Sequence, residues 1–555
     1  MKKKILLLLA ALIIVFVVLF IRDIRVEPPK VEYQKYAETP RVELAKDSYR
    51  IDRNWLRKND KGLWEMYVEG SPVEMGVYEG KLGKELIYKQ EESFVSQIKK
   101  MIPSESYLKM LRIFVAWFNR DIDEYIIDEY KEEIFGVSLS TSDKFSFIAD
   151  GYQRMLSYHG AHDIGHALAD LALVGCTSFA ANQNSTDSSL LVGRNFDFYI
   201  NDSFAKNKII AFVNPESGYK FAYVTWASMI GVVSGMNIKG LTVTINAAKS
   251  DIPTKARTPI SLLTREILQY ASNIDEAIEI ANKRKIFVSE SILVSSPSDN
   301  KAVIIEKSPT KSDIFSSKSS KIVCANHFQG ALFKDDPINK KNISESASLY
   351  RQQRCTQLLE EKSDTFSVYD AAEILRDAKG LDGKDIGLGN EEAMNQLISH
   401  HSIIFKPKHL QLWVSTSPYQ LGEYLCYDLN KIFSSDSVPG NQETIYQETK
   451  NIKADTLLYS EKFANYKQFK RLRSELLEAI DNKAVIENDT LLGFEKSNKN
   501  YFQVYEILGD YYSLHNQHKN AVKAYQNALD CEIPNTWETN KIEKALKKQI
   551  EKNGY

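Results

Sequence analysis

A thiol, a guanidinium and a carboxylate are gathered by the stretch between Leu173 and Ile200. Cys176 stands in GCTSFAA, and Arg194 and Asp197 stand in GRNFDF, with the polar stretch NQNSTDSS between the two. The flanking pieces CTSFAA and LLVGRNFDFYI are short apolar runs joined by turn residues, a pattern that predicts a β-hairpin. Closing that hairpin carries the end with Cys176 to the end with Arg194 and Asp197. A cation beside a thiol favours the reactive thiolate, so the arrangement is the one an activated thiol needs. Taken singly, each residue has a plainer explanation: a small buried thiol and a structural ion pair.

Other chemistries find less support. The sequence contains no G-x-S-x-G elbow, no H-E-x-x-H and no phosphate-binding P-loop. Ser308-Pro309-Thr310-Lys311 satisfies S-x-x-K formally, but it lies in a charged, turn-rich stretch without supporting motifs. His162 and His166 in HDIGH would share one helix face, as metal-binding pairs do. No third ligand accompanies them, so packing or solvent-facing histidines are expected, with no metal and no cofactor.

The elements that must position the thiol follow from periodicity and turn residues. Residues 27–56 are polar and contain prolines, which reads as a tether. Residues 57–175 open with a strand, turn at Gly70-Ser71-Pro72 and continue as two or three helices, as in YLKMLRIFVAWF. Residues 176–430 alternate strand signals with one helical pair. The strands include the run through MNIKG, whose turn residues are Asn237 and Gly240, and a hairpin around Ser298-Asp299-Asn300. The helical pair is ISLLTREILQYASNIDEAIEIANK. Strand clusters around inserted helices predict a layered α+β domain. Residues 431–455 read as a linker, and 456–555 as helical. There Leu508, Gly509, Tyr512, Ala521, Tyr525, Ala528 and Pro534 reproduce most of one tetratricopeptide unit, with a degenerate second unit over 459–492. One good repeat makes a helical appendage, not a solenoid.

The 555 residues are 43% hydrophobic and 26% charged, with a formal net charge of −2. No basic excess is present to neutralise phosphates, so nucleic acid is not an expected partner. Lys2, Lys3 and Lys4 precede an apolar run from Ile5 to Ile21. No A-x-A cleavage site follows it, so residues 1–26 are expected to be an uncleaved signal anchor. Lysines on the cytoplasmic side then place the remainder outside the inner membrane. Five cysteines are too few and too irregular for a disulfide framework.

The ordered motifs GCTSFA, GRNFD, GMNIKGLTVTINA, CANHF and SLYRQQR, with EGSPVEMGVYEGKLG and YKEEIFG upstream, resemble the acyl-coenzyme A:6-aminopenicillanate acyltransferase family. That family belongs, with the bile-salt hydrolases and penicillin V acylases, to the N-terminal-nucleophile hydrolases. The resemblance spans roughly Gly70 to Ser415. It implies a four-layer αββα sandwich and a precursor cut between Gly175 and Cys176, with the freed α-amine of Cys176 as the base of its own thiol. An α-amine titrates near 7.7–8.0 in its unperturbed state, low enough to accept a proton at neutral pH. By the same resemblance Arg194 would lower the thiol pKa and Asp197 would hold the new amine. Asn246 would stabilise the oxyanion, Asn326 would position the amine or tetrahedral intermediate, and Arg351 would be the late arginine. The Ser-Arg adjacency usual in the family is broken here by Leu349-Tyr350, which leaves Arg354 as the alternative.

The expected function is therefore cleavage of a linear N-acyl amide through a thioester, or transfer of the acyl group to an amine. The competing reading is a non-catalytic anchored scaffold that binds an envelope protein through its C-terminal helices.

Overall fold

The computed structural model describes residues 15, 20, 22, 24–101, 104–160, 173–182, 189–199, 202–249, 255–362, 366–434, 439–440 and 443–553. Most of the expected signal anchor over residues 1–26, and the pair His162 and His166, lie outside the described residues. Among the described residues, no helix is long and apolar enough to cross a membrane.

The chain first builds strands β1 (Val42–Ala45), β2 (Ser48–Ile51), β3 (Asn54–Lys58) and β4 (Trp64–Gly70). Around the cysteine come β5 (Leu173–Val174), β6 (Thr177–Ala181), β7 (Leu191–Phe196) and β8 (Phe198–Tyr199). Next are β9 (Ile209–Pro215), β10 (Phe221–Thr225), β11 (Ser234–Asn237), β12 (Thr242–Ala247), β13 (Glu290–Ser296), β14 (Lys301–Lys307) and β15 (Ser312–Phe315). The last are β16 (Lys321–Cys324), β17 (His401–Lys406), β18 (Gln411–Ser415) and β19 (Tyr424–Asp428). One sheet has the order β1-β2-β3-β4-β9-β10-β11-β12-β13-β14-β15, and a second β16-β6-β7-β17-β18-β19.

Period-two alternation decides how the two sheets meet. On β17, Ile403 and Phe405 join Ile210, Phe212, Val224 and Leu293 in a core between the sheets, whereas Ile404 faces the opposite side. The outer face of the larger sheet is covered by helices Pro72–Leu82, Asp128–Ser138, Ile260–Tyr270 and Ile274–Lys283. Helices Ser348–Glu361 and Val368–Arg376 cover the smaller sheet. The layers therefore run α, β, β, α.

Three expected divisions give way. Residues 27–56 are not a tether: β1 to β3 pair antiparallel and extend the larger sheet through β4. Asp47 and Asp52 turn the chain at φ 59° and 51°, so two tight hairpins are hidden in a polar sequence. Nor is 57–175 separable from 176–430, because β4 pairs parallel with β9 from Trp64↔Ile209 to Gly70↔Pro215. The expected linker over 431–455 likewise lies against β19, with bridges Tyr427↔Tyr446 and Tyr424↔Ile452.

The C-terminal helices Glu461–Asn482, Asn488–Ser497, Phe502–Leu514, His518–Leu529 and Thr536–Asn553 form their own core. The tetratricopeptide glycine allows close helix contact: a Cβ on Gly509 would lie 2.5 Å from the Tyr525 ring. Leu388, Leu397 and Leu421, all preceding the helical region, are buried in that same core, so the helices are seated on the layered domain.

Candidate active site

The β6–β7 ladder sets Thr177 opposite Asn195 and Ser178 opposite Arg194. A second short ladder, β5 with β8, pairs Val174 with Phe198. Between the two ladders, Gly175-Cys176 faces Asp197. The Gly175 N–H donates to the Asp197 carbonyl at 3.0 Å, and the Cys176 thiol donates to the same oxygen at 3.8 Å.

Arg194 projects toward the larger sheet. Its guanidinium donates to the Val233 carbonyl at 3.0 Å and also to Ser234 Oγ and the Ile245 carbonyl. It lies over the Phe196 ring at 4.3 Å, and its Nη2 is 3.8 Å from Cys176 Sγ. Burial lowers the arginine pKa from its ordinary value, opposed by Cys176 and Asp197. Burial also pushes the Cys176 thiol up to about 11, against the lowering effect of Arg194. The expected effect of Arg194 is thus present but outweighed. In the continuous chain the thiol is protonated at neutral pH, because a thiolate in a water-free site loses its solvation.

The Asp197 carboxyl is raised to about 7, chiefly by burial, with Ser399, Arg351 and Arg194 acting the other way. Its Oδ1 accepts from Ser399 Oγ, and its Oδ2 has no hydrogen-bond partner among the described residues. Such an unsatisfied buried acceptor typically costs about 1–3 kcal/mol.

Arg351 and Asn326 form an adjoining group. Arg351 donates to Asn326 Oδ1 at 2.6 Å, to Thr177 Oγ1 at 3.2 Å and to the Glu391 carbonyl at 2.8 Å. It thereby reaches the residue next to Cys176. Arg354, the alternative, turns away and pairs with Asp377 at 2.9 Å. Asn326 also donates to the Ala247 carbonyl at 2.9 Å. Asn246, on β12, accepts from Ser178 Oγ at 3.0 Å and donates to the Cys324 carbonyl at 3.0 Å. Its amide ties three strands together and makes no hydrogen bond to Cys176.

The S-x-x-K stretch is a turn: Ser308 Oγ accepts from the Lys311 N–H at 3.0 Å, while the Lys311 side chain pairs with Asp336. Among the described residues, no group of His, Cys, Asp and Glu is arranged to hold a metal ion.

Sequence reasoning missed the segment just before β17. Gln396, Ser399, His400 and His401 are all buried. Gln396 Nε2 donates to the Gly175 carbonyl at 2.7 Å. His401 meets Ser234 Oγ at 2.9 Å and His400 Nδ1 at 2.9 Å, which links the histidine pair to Arg194. Burial holds both imidazoles well below their usual pKa, hence neutral. The only signal was the density of polar side chains in NEEAMNQLISHH directly before an apolar strand.

A cysteine paired with a buried arginine and set opposite a carboxylate, between two stacked sheets, defines a thiol-centred αββα protein. Residues 182–414 match the family described as acyl-coenzyme A:6-aminopenicillanic acid acyl-transferase. The matched segment contains Arg194, Asp197, Asn246, Asn326 and Arg351 and begins shortly after Cys176.

The chain is 26% identical over 222 residues to an N-acylethanolamine-hydrolyzing acid amidase from Caenorhabditis elegans, covering 38% of this chain and 59% of that protein. It is 24% identical over 260 residues to an uncharacterized protein from Archaeoglobus fulgidus, covering 44% and 42%. It thus spans about half the length of these curated relatives. Among solved structures, the Caenorhabditis elegans acid amidase ortholog aligns at TM-score 0.32 and 18% identity, over 42% of this chain and 93% of that one. A mutant conjugated bile acid hydrolase from Clostridium perfringens aligns at TM-score 0.33 and 14% identity, over 49% and 96%.

Proposed function

We propose that the chain is a self-processing cysteine amidohydrolase that cleaves linear N-acyl amides through a thioester. The observation that carries this reading is the meeting of the Cys176 thiol, the Arg194 guanidinium and the Asp197 carbonyl in one buried break between two ladders.

In the uncleaved chain the thiol is shut in and protonated, which suits a precursor. Cleavage at Gly175-Cys176 creates an α-ammonium beside Asp197, and the unpartnered Oδ2 of that carboxylate is free to accept from it. Deprotonated, the same amine takes the thiol proton as sulfur attacks the substrate carbonyl. It then returns the proton to the leaving amine. Water hydrolyses the thioester, and an amine acceptor in its place would give acyl transfer. Arg351 and Asn326 brace the strand end at Thr177 and supply polar groups near the reacting centre.

An apolar acyl group suits the surroundings. Phe196, Phe204, Trp226 and His400 form an aromatic cluster beside the arginine, with Phe204 and Trp226 at 5.1 Å and Phe196 and Trp226 stacked at 6.4 Å. N-acylethanolamines and bile-acid conjugates, the compounds named for the relatives, head the substrate panel. The apolar run Ile5–Ile21 supports an anchored protein with its catalytic part on the extracytoplasmic side.

The test is a denaturing gel and a turnover assay on purified full-length protein. Fragments 1–175 and 176–555 are expected, with release of free acid from an N-acyl substrate. Cys176→Ala should abolish both, and Cys355→Ala neither. A single uncleaved band, inert to a thiol-directed probe and to every substrate, would overturn the reading.

A further inference from the structure

We infer that Gln396 is the oxyanion donor for self-cleavage, a role that rests on the self-processing reading above. Its side-chain amide donates to the carbonyl oxygen of Gly175 at 2.7 Å, and that carbonyl belongs to the peptide bond to be cut. Gln396 is 2% exposed, so the bond forms away from water, where a fixed dipole acts most strongly on developing charge.

The step balances as an N-to-S acyl shift. Cys176 Sγ attacks the Gly175 carbonyl carbon and the C=O pair moves onto oxygen, where the Gln396 N–H meets the negative charge. The C–N bond then breaks as the oxygen pair returns. The thiol proton ends on the Cys176 nitrogen, which leaves as the α-amine. A thioester joins Gly175 to Sγ, and one water hydrolyses it to the Gly175 carboxylate and the free thiol.

Both ends of residue 175 are held for this. Its N–H is fixed on the Asp197 carbonyl and its C=O on Gln396. The glycine is required by the same contact, since a Cβ would stand 2.3 Å from the Gln396 amide. The loop that carries Gln396 is anchored independently. Asn395 donates from its backbone to Asp377 at 2.8 Å, and Leu397 adopts φ 56° with its side chain sunk in the C-terminal helical core. The left-handed region is unfavourable for a leucine, so the helical core holds the loop in a shape that it would otherwise leave.

Cleavage is followed by gel and intact mass after cell-free synthesis of the full chain, alongside thermal unfolding of each variant. Gln396→Met keeps the length and removes the donor, so cleavage should slow by about a hundredfold or more while the unfolding temperature stays close to the parent. Gln396→Glu supplies the readout that a packing role would not move. Ionised, it repels the oxyanion, and protonated it donates, so its cleavage rate should rise as pH falls while that of Gln396→Met does not. Parental cleavage rates in a folded Gln396→Met protein, or matching pH profiles for the two variants, would overturn the inference. A parent that never cleaves overturns the self-processing reading and the inference with it, a result distinct from a parent that cleaves equally fast without Gln396.

Discussion

Arg194 Nη2 stands 3.8 Å from Cys176 Sγ, and the two side chains are 0% and 1% exposed. The arginine is held by Val233, Ser234 and Ile245, so its fork is as important as its charge. A lysine keeps the charge but cannot serve those acceptors together. Arg194→Lys should therefore cut both self-cleavage and turnover by about a hundredfold. Gel kinetics and initial rates on an N-acyl substrate measure the two effects, and a parental rate would remove Arg194 from the site.

The two arginines of SLYRQQR should separate cleanly. Arg351→Ala leaves Asn326 Oδ1 and Thr177 without their donor and should lower kcat strongly. Arg354→Ala strips Asp377 of a partner that is 4% exposed, an uncompensated buried charge worth about 3 kcal/mol of stability. Its folded fraction should keep the parental specific activity. Urea unfolding together with active-site titration distinguishes the pair.

Asp197 gives the uncleaved chain a pH dependence of definite sign. Its carboxyl titrates near 7 folded, against 3.8 for the free group, so between about pH 4 and pH 7 the folded state binds the extra proton. Stability should therefore fall as pH rises through that window, by roughly 1 kcal/mol per unit from this group. Comparing Cys176→Ala with Cys176→Ala/Asp197→Asn by urea unfolding at pH 4.5 and pH 7 isolates the share. The asparagine variant should show the shallower decline.

Gly175→Ala should fold and yet fail to cleave at the parental rate. The added methyl meets the flexible end of Gln396 at 2.3 Å, so the amide can swing away, and in doing so it gives up the Gly175 carbonyl. A near-parental unfolding temperature with cleavage slowed tenfold or more is the expected result.

Leu397→Ala tests the link between the helical region and the site. The substitution empties a place in the C-terminal core and should cost about 2–4 kcal/mol in that region. With its anchor loosened, the loop bearing Gln396 and Ser399 should also slow cleavage. Hydrogen exchange over 390–400 reports the loosening directly.

Periodicity and turn residues were enough to read the β6–β7 hairpin, the pair of helices over 260–283 and the β13–β14 hairpin, because each closes within a short stretch of chain. The same local logic brought Cys176 to Arg194 and Asp197. The β1–β3 hairpins escaped notice because charged and polar residues interrupt their short apolar runs, and their turns rest on two aspartates at positive φ. The parallel pairing of β4 with β9 spans well over a hundred residues, and no periodicity records which strand a given strand will meet.

The sequence by itself determined that a thiol stands where a hairpin brings it to Arg194 and Asp197. Only the tertiary structure decided the protonation of that thiol, which burial sets against the pull of Arg194. It also decided between Arg351 and Arg354, neighbours by sequence that one helix points to different partners. And it brought Gln396 to Gly175 across 221 positions. Desolvation and long-range hydrogen bonding depend on what the whole fold packs around a group, so they take their values only once the chain is closed.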